Sequence, residues 1–197
     1  MHYNKCVGNM MLQNLYENLD ELLSIGPVKL AIEGGSASGK TTLSDLLASN
    51  YDCAVFHMDD FFLRPEQRTP ERYAEPGGNV DRERFLAEVL LPLSNGEVVN
   101  YRKFHCTSMT LEEPIQITPK KLVIVEGAYS MHPDLAGYYD LSVFLDISPE
   151  LQRERILRRN TPEMAKRFFE TWIPLEETYF SEMNIKEQCD MVIRIAP

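Results

Sequence analysis

Apolar positions along this chain fall into two alternating rhythms. Between residues 10 and 24, Met11, Leu12, Leu15, Leu19, Leu22 and Leu23 recur at i, i+3 and i+4 spacing. That spacing predicts an amphipathic helix, stopped by Gly26-Pro27. Residues 28–34, VKLAIEG, then form a short apolar run of strand length, and 40–49, KTTLSDLLAS, return to helical spacing. CAVFHM (53–58) predicts a second strand, 63–79 a long polar loop rich in Pro and Gly, and 80–93 a helix with Asp81 placed to cap it. Asn95-Gly96 marks a turn, and 97–118 read as irregular or edge-strand chain. KLVIVEG (121–127) carries the strongest buried-strand signal, and LSVFLDI (141–147) predicts another strand. Ser148 and Pro149 open a helix over 148–160, 162–183 are helical with an interruption near Pro174, and DMVIRI (190–195) closes as a strand.

Apolar strands alternating with helices imply an α/β fold, a doubly wound, mainly parallel five-stranded sheet with helices on both faces. No repeat, low-complexity tract or clear linker divides residues 1–197. The chain therefore reads as one domain, with a helical extension at 1–27 and a core at 28–197.

Composition narrows the partners. The formal net charge is -10, which opposes non-specific wrapping of nucleic acid. No run approaches the length of a membrane span, and the N-terminus lacks a continuous apolar signal region. Cys6, Cys53, Cys106 and Cys189 are scattered without a CxxC pair, as expected of reduced thiols in a cytoplasmic protein. Cys53 and Cys189 adjoin apolar runs and read as core thiols.

The stretch GGSASGKTT (34–42) cannot build a core. Gly34, Gly39, Lys40 and Thr41 fit G-x-x-x-x-G-K-[ST] between a strand and a helix. Glycines let successive N–H groups curl inward onto phosphate oxygens, and the helix starting near Lys40 adds its positive end. Gly34, Gly35, Ser36, Ala37, Ser38, Gly39, Lys40, Thr41 and Thr42 are therefore the expected contacts of a nucleoside triphosphate. Lys40 would reach its terminal phosphates and the Thr41 hydroxyl would ligate Mg²⁺. A GTPase base reader of the NKxD type, an LSGGQ-like signature and the protein-kinase motif set are all missing from the sequence.

HMDDFF (57–62) follows the second strand, where ligands of doubly wound sheets bind. A carboxylate there could accept a proton from an attacking hydroxyl or orient Mg²⁺. His57 ends an apolar run and reads as a structural histidine. Glu126, beside Gly127, is the favoured metal carboxylate over Asp146. Arg153, Arg155, Arg158 and Arg159 crowd one helix, with Lys166 and Arg167 beyond. They read either as a solvated face or as a lid over phosphates at about 158–170.

Taken together, GGSASGKTT, HMDDFF, GNVDRERF, IVEGAY, RERILRRN and the spacing of Trp172, Pro174, Glu176 and Tyr179 resemble the uridine kinase family over roughly residues 28–195. That family sits in a group of P-loop kinases with nicotinamide riboside, pantothenate and phosphoribulose kinases. The resemblance implies an ATP- and Mg²⁺-dependent kinase of the P-loop NTPase fold acting on a small-molecule hydroxyl, most simply the 5′-hydroxyl of a nucleoside. Nicotinamide riboside kinase is the rival within the group. A regulatory ATPase, with the N-terminal helix as partner surface or homo-oligomer contact, is the rival outside it.

The resemblance also carries roles to single residues. Asp59 matches the catalytic carboxylate and shares the metal with Thr41 and Glu126. Arg158, Arg159 and Arg167 match lid contacts. Asp60 and Phe62 fall on the acceptor side. Asp81 matches a ribose-binding residue, and Tyr101 and His105 match contacts to the base. Val80 stands where the family often has an aromatic residue, and the Tyr101–His105 spacing is one residue short.

Overall fold

The computed structural model describes residues 2–196, with side chains described from Met10 onward; Cys6 lies outside the described side chains. Nine strands and ten helices run along the described chain: α1 (His2–Ile25), β1 (Val28–Gly34), α2 (Lys40–Ala48), β2 (Cys53–His57), α3 (Pro70–Ala74), α4 (Arg82–Phe85), α5 (Leu91–Ser94), β3 (Val99–Tyr101), β4 (Phe104–His105), β5 (Thr110–Leu111), β6 (Ile115–Ile117), β7 (Leu122–Glu126), α6 (Pro133–Ala136), β8 (Leu141–Asp146), α7 (Pro149–Arg159), α8 (Pro162–Arg167), α9 (Ile173–Glu182), α10 (Ile185–Gln188) and β9 (Met191–Arg194).

Five of these strands form one parallel sheet in the order β2-β7-β1-β8-β9. Strand β1 lies at its centre, and its alternating side chains feed two separate cores. Ala31 joins Phe56, Phe61, Phe85 and Tyr179 on one face. Leu30 and Ile32 join Leu43, Leu47, Ile124 and Val143 on the other. A strand buried on both sides must be apolar at nearly every position, which is why β1, β7 and β8 read as unbroken apolar runs.

Helix α1 is part of the second core. Leu15 and Leu19 are fully buried among Leu30, Leu47 and Leu141. The helix contacts both β1 and β9. Cys53, Cys106 and Cys189 are free thiols, Cys53 and Cys189 half-buried against the cores and Cys106 exposed. Among the described residues no helix is long and apolar enough to cross a membrane.

Three segments differ from the periodicity. Within the polar loop, Thr69 caps the short helix α3 by accepting from the Arg72 N–H at 3.2 Å. Residues 97–118 pair as two antiparallel ribbons, β3 with β6 and β4 with β5, outside the main sheet. Finally, helix runs straight from α8 into α9 through a π-turn at Phe168–Trp172, immediately before Pro174. A second π-turn, Leu86–Leu90, joins α4 to α5 before Pro92. Proline lacks an N–H and crowds the preceding turn, and a widened turn lets the helix continue past it.

At the carboxyl end of β1 lies Glu33, fully buried. Its Oε1 accepts from the Gly34 N–H at 2.8 Å, while Oε2 accepts from Met131 N–H and from the Tyr179 hydroxyl, both at 3.0 Å. One carboxyl group thus joins β1, the chain after β7, and α9. Burial outweighs these hydrogen bonds and lifts its pKa to about 7.

Two outcomes follow from this packing. Leu19→Ala should destabilise the fold by about 2–5 kcal/mol, because a fully buried leucine leaves a cavity; urea melts with unchanged m-value measure it, and a loss under about 1 kcal/mol would mean α1 is peripheral. Glu33 should make stability fall as pH rises. Between 4.5 and about 7 the folded chain keeps the proton that the unfolded chain releases. At roughly 1.4 kcal/mol per pH unit this amounts to about 3 kcal/mol. Glu33→Gln should flatten that slope in denaturation series between pH 4.5 and 7.

Candidate active site

The carboxyl ends of the sheet strands meet at one cleft of about 710 Å³, lined by Ser36 after β1, Asp59 after β2, Glu126 of β7, Leu145 of β8 and Ile193 of β9. Its floor is the segment linking β1 to α2. Gly34 and Gly39 have φ of 144° and 105°, and Ala37 has φ of 63°. At Gly34 a Cβ would lie 2.7 Å from the Leu145 carbonyl oxygen, so only glycine fits. The Lys40 ammonium donates to the Gly34 and Gly35 carbonyls at 2.8 and 3.1 Å. Ser38 is buried, and its hydroxyl has no partner.

The loop is bound from outside by residues far away in sequence. The Ser36 N–H and hydroxyl donate to the two oxygens of Glu176 at 2.8 and 2.6 Å. Glu176 is buried, which raises its pKa against the pull of Lys40. Gln152 donates to the Ser36 carbonyl at 2.9 Å, and Arg155 to those of Ala37 and Ser38 at 3.1 and 3.3 Å. Of these four anchors, counting Glu33, only Glu176 and Arg155 fall in motifs marked by the sequence. Their partners on the loop were not legible. One signal was available: Gln152, Arg155 and Arg159 share a face of α7 by spacing.

The ends of β2 and β7 bring the acids together. Strand register sets His57 beside Glu126. The His57 Nδ1 lies 2.6 Å from Glu126 Oε1, and that carboxylate holds the imidazole above its ordinary range. The Thr41 hydroxyl donates to the same oxygen at 3.2 Å. His57 thus holds Glu126 from beside the cleft and is not part of its lining. Gly127 follows with φ of 143°, where a Cβ would meet Met58 Cβ at 2.6 Å. Asp146 lies elsewhere, bound to Lys186 at 2.7 Å.

Asp59 lines the cleft together with Lys40, Thr41 and Glu126. Its carboxyl is reached by solvent but crowded by protein, and this desolvation holds it above the ordinary carboxylate range, with Lys40 opposing and Glu126 reinforcing. Arg158, Arg159 and Phe168 line the cleft as well, whereas Arg167 sits exposed on α8 outside the lining. Arg155 takes the inner position instead, because α7 points its face at the loop and α8 turns away after Thr161 caps it.

On the acceptor side, Asp60 is held by the Tyr101 hydroxyl at 3.1 Å and Lys103 at 3.0 Å. Tyr101 does not offer a free ring: it is 3% exposed and stacks on Phe61 at 5.4 Å. Phe62 is half-buried and bridges Val80, which is itself 1% exposed within the core. Position 80 therefore faces no ligand, and an aromatic residue there would overpack the core. His105 is exposed and paired with Ser108 at 2.9 Å. Asp81 caps α4 by accepting from the Arg84 N–H at 3.2 Å and lines a cavity of about 390 Å³ with Arg64, Arg72 and Arg84. Its Oδ2 is buried without a hydrogen-bond partner, 3.4 Å from Arg84 Nε and 3.6 Å from Arg64 Nε.

Comparison with known proteins agrees with this geometry. Residues 30–168 match the model of the phosphoribulokinase / uridine kinase family. The chain is 30% identical over 151 residues to a uridine kinase of Staphylococcus haemolyticus (strain JCSC1435), covering 70% of each chain. It is 30% identical over 148 residues to a uridine kinase of Macrococcus caseolyticus (strain JCSC5402), covering 70% of this chain and 69% of that one. In fold it is similar to the structure of a possible uridine kinase from Bacillus stearothermophilus, with a TM-score of 0.64 and 19% identity, covering 91% of this chain and 99% of that one. A phosphate-binding loop at the end of the central strand, set against a row of acids and arginines, is thus found in a chain that belongs to the phosphoribulokinase / uridine kinase family of kinases.

Proposed function

We propose that this chain transfers the γ-phosphoryl group of ATP, in the presence of Mg²⁺, to a hydroxyl of a small metabolite, the 5′-hydroxyl of a nucleoside being the leading acceptor. The observation that carries this reading is the shared cleft: Asp59, Lys40, Thr41 and Glu126 line one cavity with the phosphate loop. A regulatory ATPase would need a free partner surface on α1, but that helix spends Leu15 and Leu19 on the core.

The roles follow from position. Inward amides of the loop and the Lys40 ammonium bind the β- and γ-phosphates. Asp59 accepts the proton of the attacking hydroxyl; crowding by the protein makes it a stronger base than an ordinary aspartate. Arg158 and Arg159 offset charge on the transferring group and help exclude water, with Arg167 recruited if α8 closes. Oxygen donors on Thr41, Glu126 and Asp59 suit Mg²⁺, which prefers one or two carboxylates and completes its shell with phosphates and water. When bound there, the ion would supply neutralising charge between the β- and γ-oxygens. Asp81, whose Oδ2 lies between Arg84 and Arg64, is the proposed contact for vicinal hydroxyls of the acceptor, and Asp60, Phe62 and His105 border that side. The Tyr101 ring is withdrawn from base contact and acts through Asp60.

An ADP-release assay over nucleosides, nicotinamide riboside, pantothenate and sugars, with mass spectrometry of products, identifies the acceptor; ATP turnover stimulated by none of them would overturn the kinase reading. Lys40→Ala should lower kcat by at least about 100-fold with the fold retained in circular dichroism. Asp59→Asn should leave ATP affinity within about threefold by calorimetry and cut transfer by about 10²–10⁴-fold. Near-normal transfer by that variant would remove Asp59 as the base.

A further inference from the structure

The phosphate-loop pattern fixes residue type at Gly34, Gly39, Lys40 and Thr41 and leaves the positions between the glycines open. One of these, Ser36, is nonetheless held at every polar group it has. Its N–H and its hydroxyl donate to the two oxygens of Glu176 at 2.8 and 2.6 Å. Its carbonyl accepts from Gln152 at 2.9 Å. Gly35 makes room for this grip, since a Cβ there would lie 3.0 Å from Gln152 Nε2 and 3.5 Å from Glu176 Oε2. Glu176 belongs to α9, beyond the residues 30–168 that match the family. Three residues on, Tyr179 shares its face of the helix and donates to Glu33 behind the loop.

A carboxylate in this place is costly. Glu176 is 6% exposed, yet it lines the cleft that the phosphates of a nucleotide enter, so its charge opposes the ligand. Lys40 draws on that charge, and Asp59 adds to it. What the acid provides in return is a fixed Ser36, tied through two donors by one rigid group. Asp59 identifies the phosphate on this side of the cleft as the one to be transferred. The inner phosphates fall to the amides at the start of α2, which have no bond to Glu176.

We propose that Glu176 is a positioning residue for phosphoryl transfer: by holding Ser36 it shapes the first half of the loop around the γ-phosphate, opposite Asp59. The proposal rests on the kinase reading above and adds a residue that acts through Ser36 rather than on the substrate. It divides the loop into two parts with separate supports, and only the part built on Ser36 distinguishes ATP from ADP.

Calorimetric titration without acceptor, using Mg-ATP and Mg-ADP in parallel, tests that division. Glu176→Gln keeps the size of the side chain but has one accepting oxygen where the carboxylate has two. It should weaken ATP by about fivefold to tenfold and leave ADP within about twofold. With an acceptor and saturating ATP, its kcat should fall by about 10–100-fold, because a small displacement of the phosphoryl group suffices. Ser36→Ala breaks the same grip from the loop side. The loss of kcat in the double variant should fall at least about threefold short of the product of the single losses. Equal weakening of ATP and ADP makes Glu176 a general support of the fold and overturns the proposal. Tighter ATP binding by Glu176→Gln, the mark of a merely repelling charge, overturns it too, as do single losses that multiply. A wild type that binds neither nucleotide fails the phosphate-loop reading and the proposal with it, a result seen before any variant is made.

Discussion

A loop whose amides must turn inward around an anion bends its backbone where most residues resist bending. At Gly34 and Gly39 the missing Cβ makes this cheap, but Ala37 at φ 63° carries a cost of about 1–3 kcal/mol. Hydrogen bonds to charged groups, each worth about 1.5–3 kcal/mol, are of the right size to offset it. They come from outside the loop: Glu176 on Ser36, Arg155 on the Ala37 carbonyl, Glu33 on the Gly34 amide. The shape of the phosphate site is therefore a property of β1, α7 and α9 together. Both carboxylates are buried beside Lys40, so their burial and the lysine's placement support one another.

This arrangement explains which parts of the fold were legible in the sequence. Strands buried on both faces must be apolar throughout, and β1, β7 and β8 were visible for that reason. The phosphate loop was visible because its backbone restricts residue type at fixed spacing. Glu33 was invisible: a single acid ending an apolar strand looks like a strand terminus, and only three-dimensional packing shows that its partners are Met131 and Tyr179. The ribbons at 99–117 read only as irregular or edge-strand chain, because each strand has only two or three residues and its partner lies across a loop. His57 reads as a structural histidine because it ends an apolar run, but its partner Glu126 becomes visible only through strand register with β7.

The acceptor side was the hardest to read, for a related reason. Its residues act in pairs that the sequence does not announce. Asp60 is held by Tyr101 and Lys103, which lie on and beside a short ribbon strand, whereas Asp81 is buried with Oδ2 between the guanidinium groups of Arg84 and Arg64. A substitution in the β3–β6 ribbon can change what Asp60 offers without touching any residue that meets a substrate.

The contact between α1 and β9 joins the first and last of the described elements. During synthesis, the ribosome releases the helix long before the strand that it packs beside. Until β9 emerges, the apolar stripe of α1 has an incomplete seat. A chain stalled short of residue 191 would carry the loop between β1 and α2 in full yet lack the strand that α1 packs beside, which couples the seating of α1 to completion of the sheet.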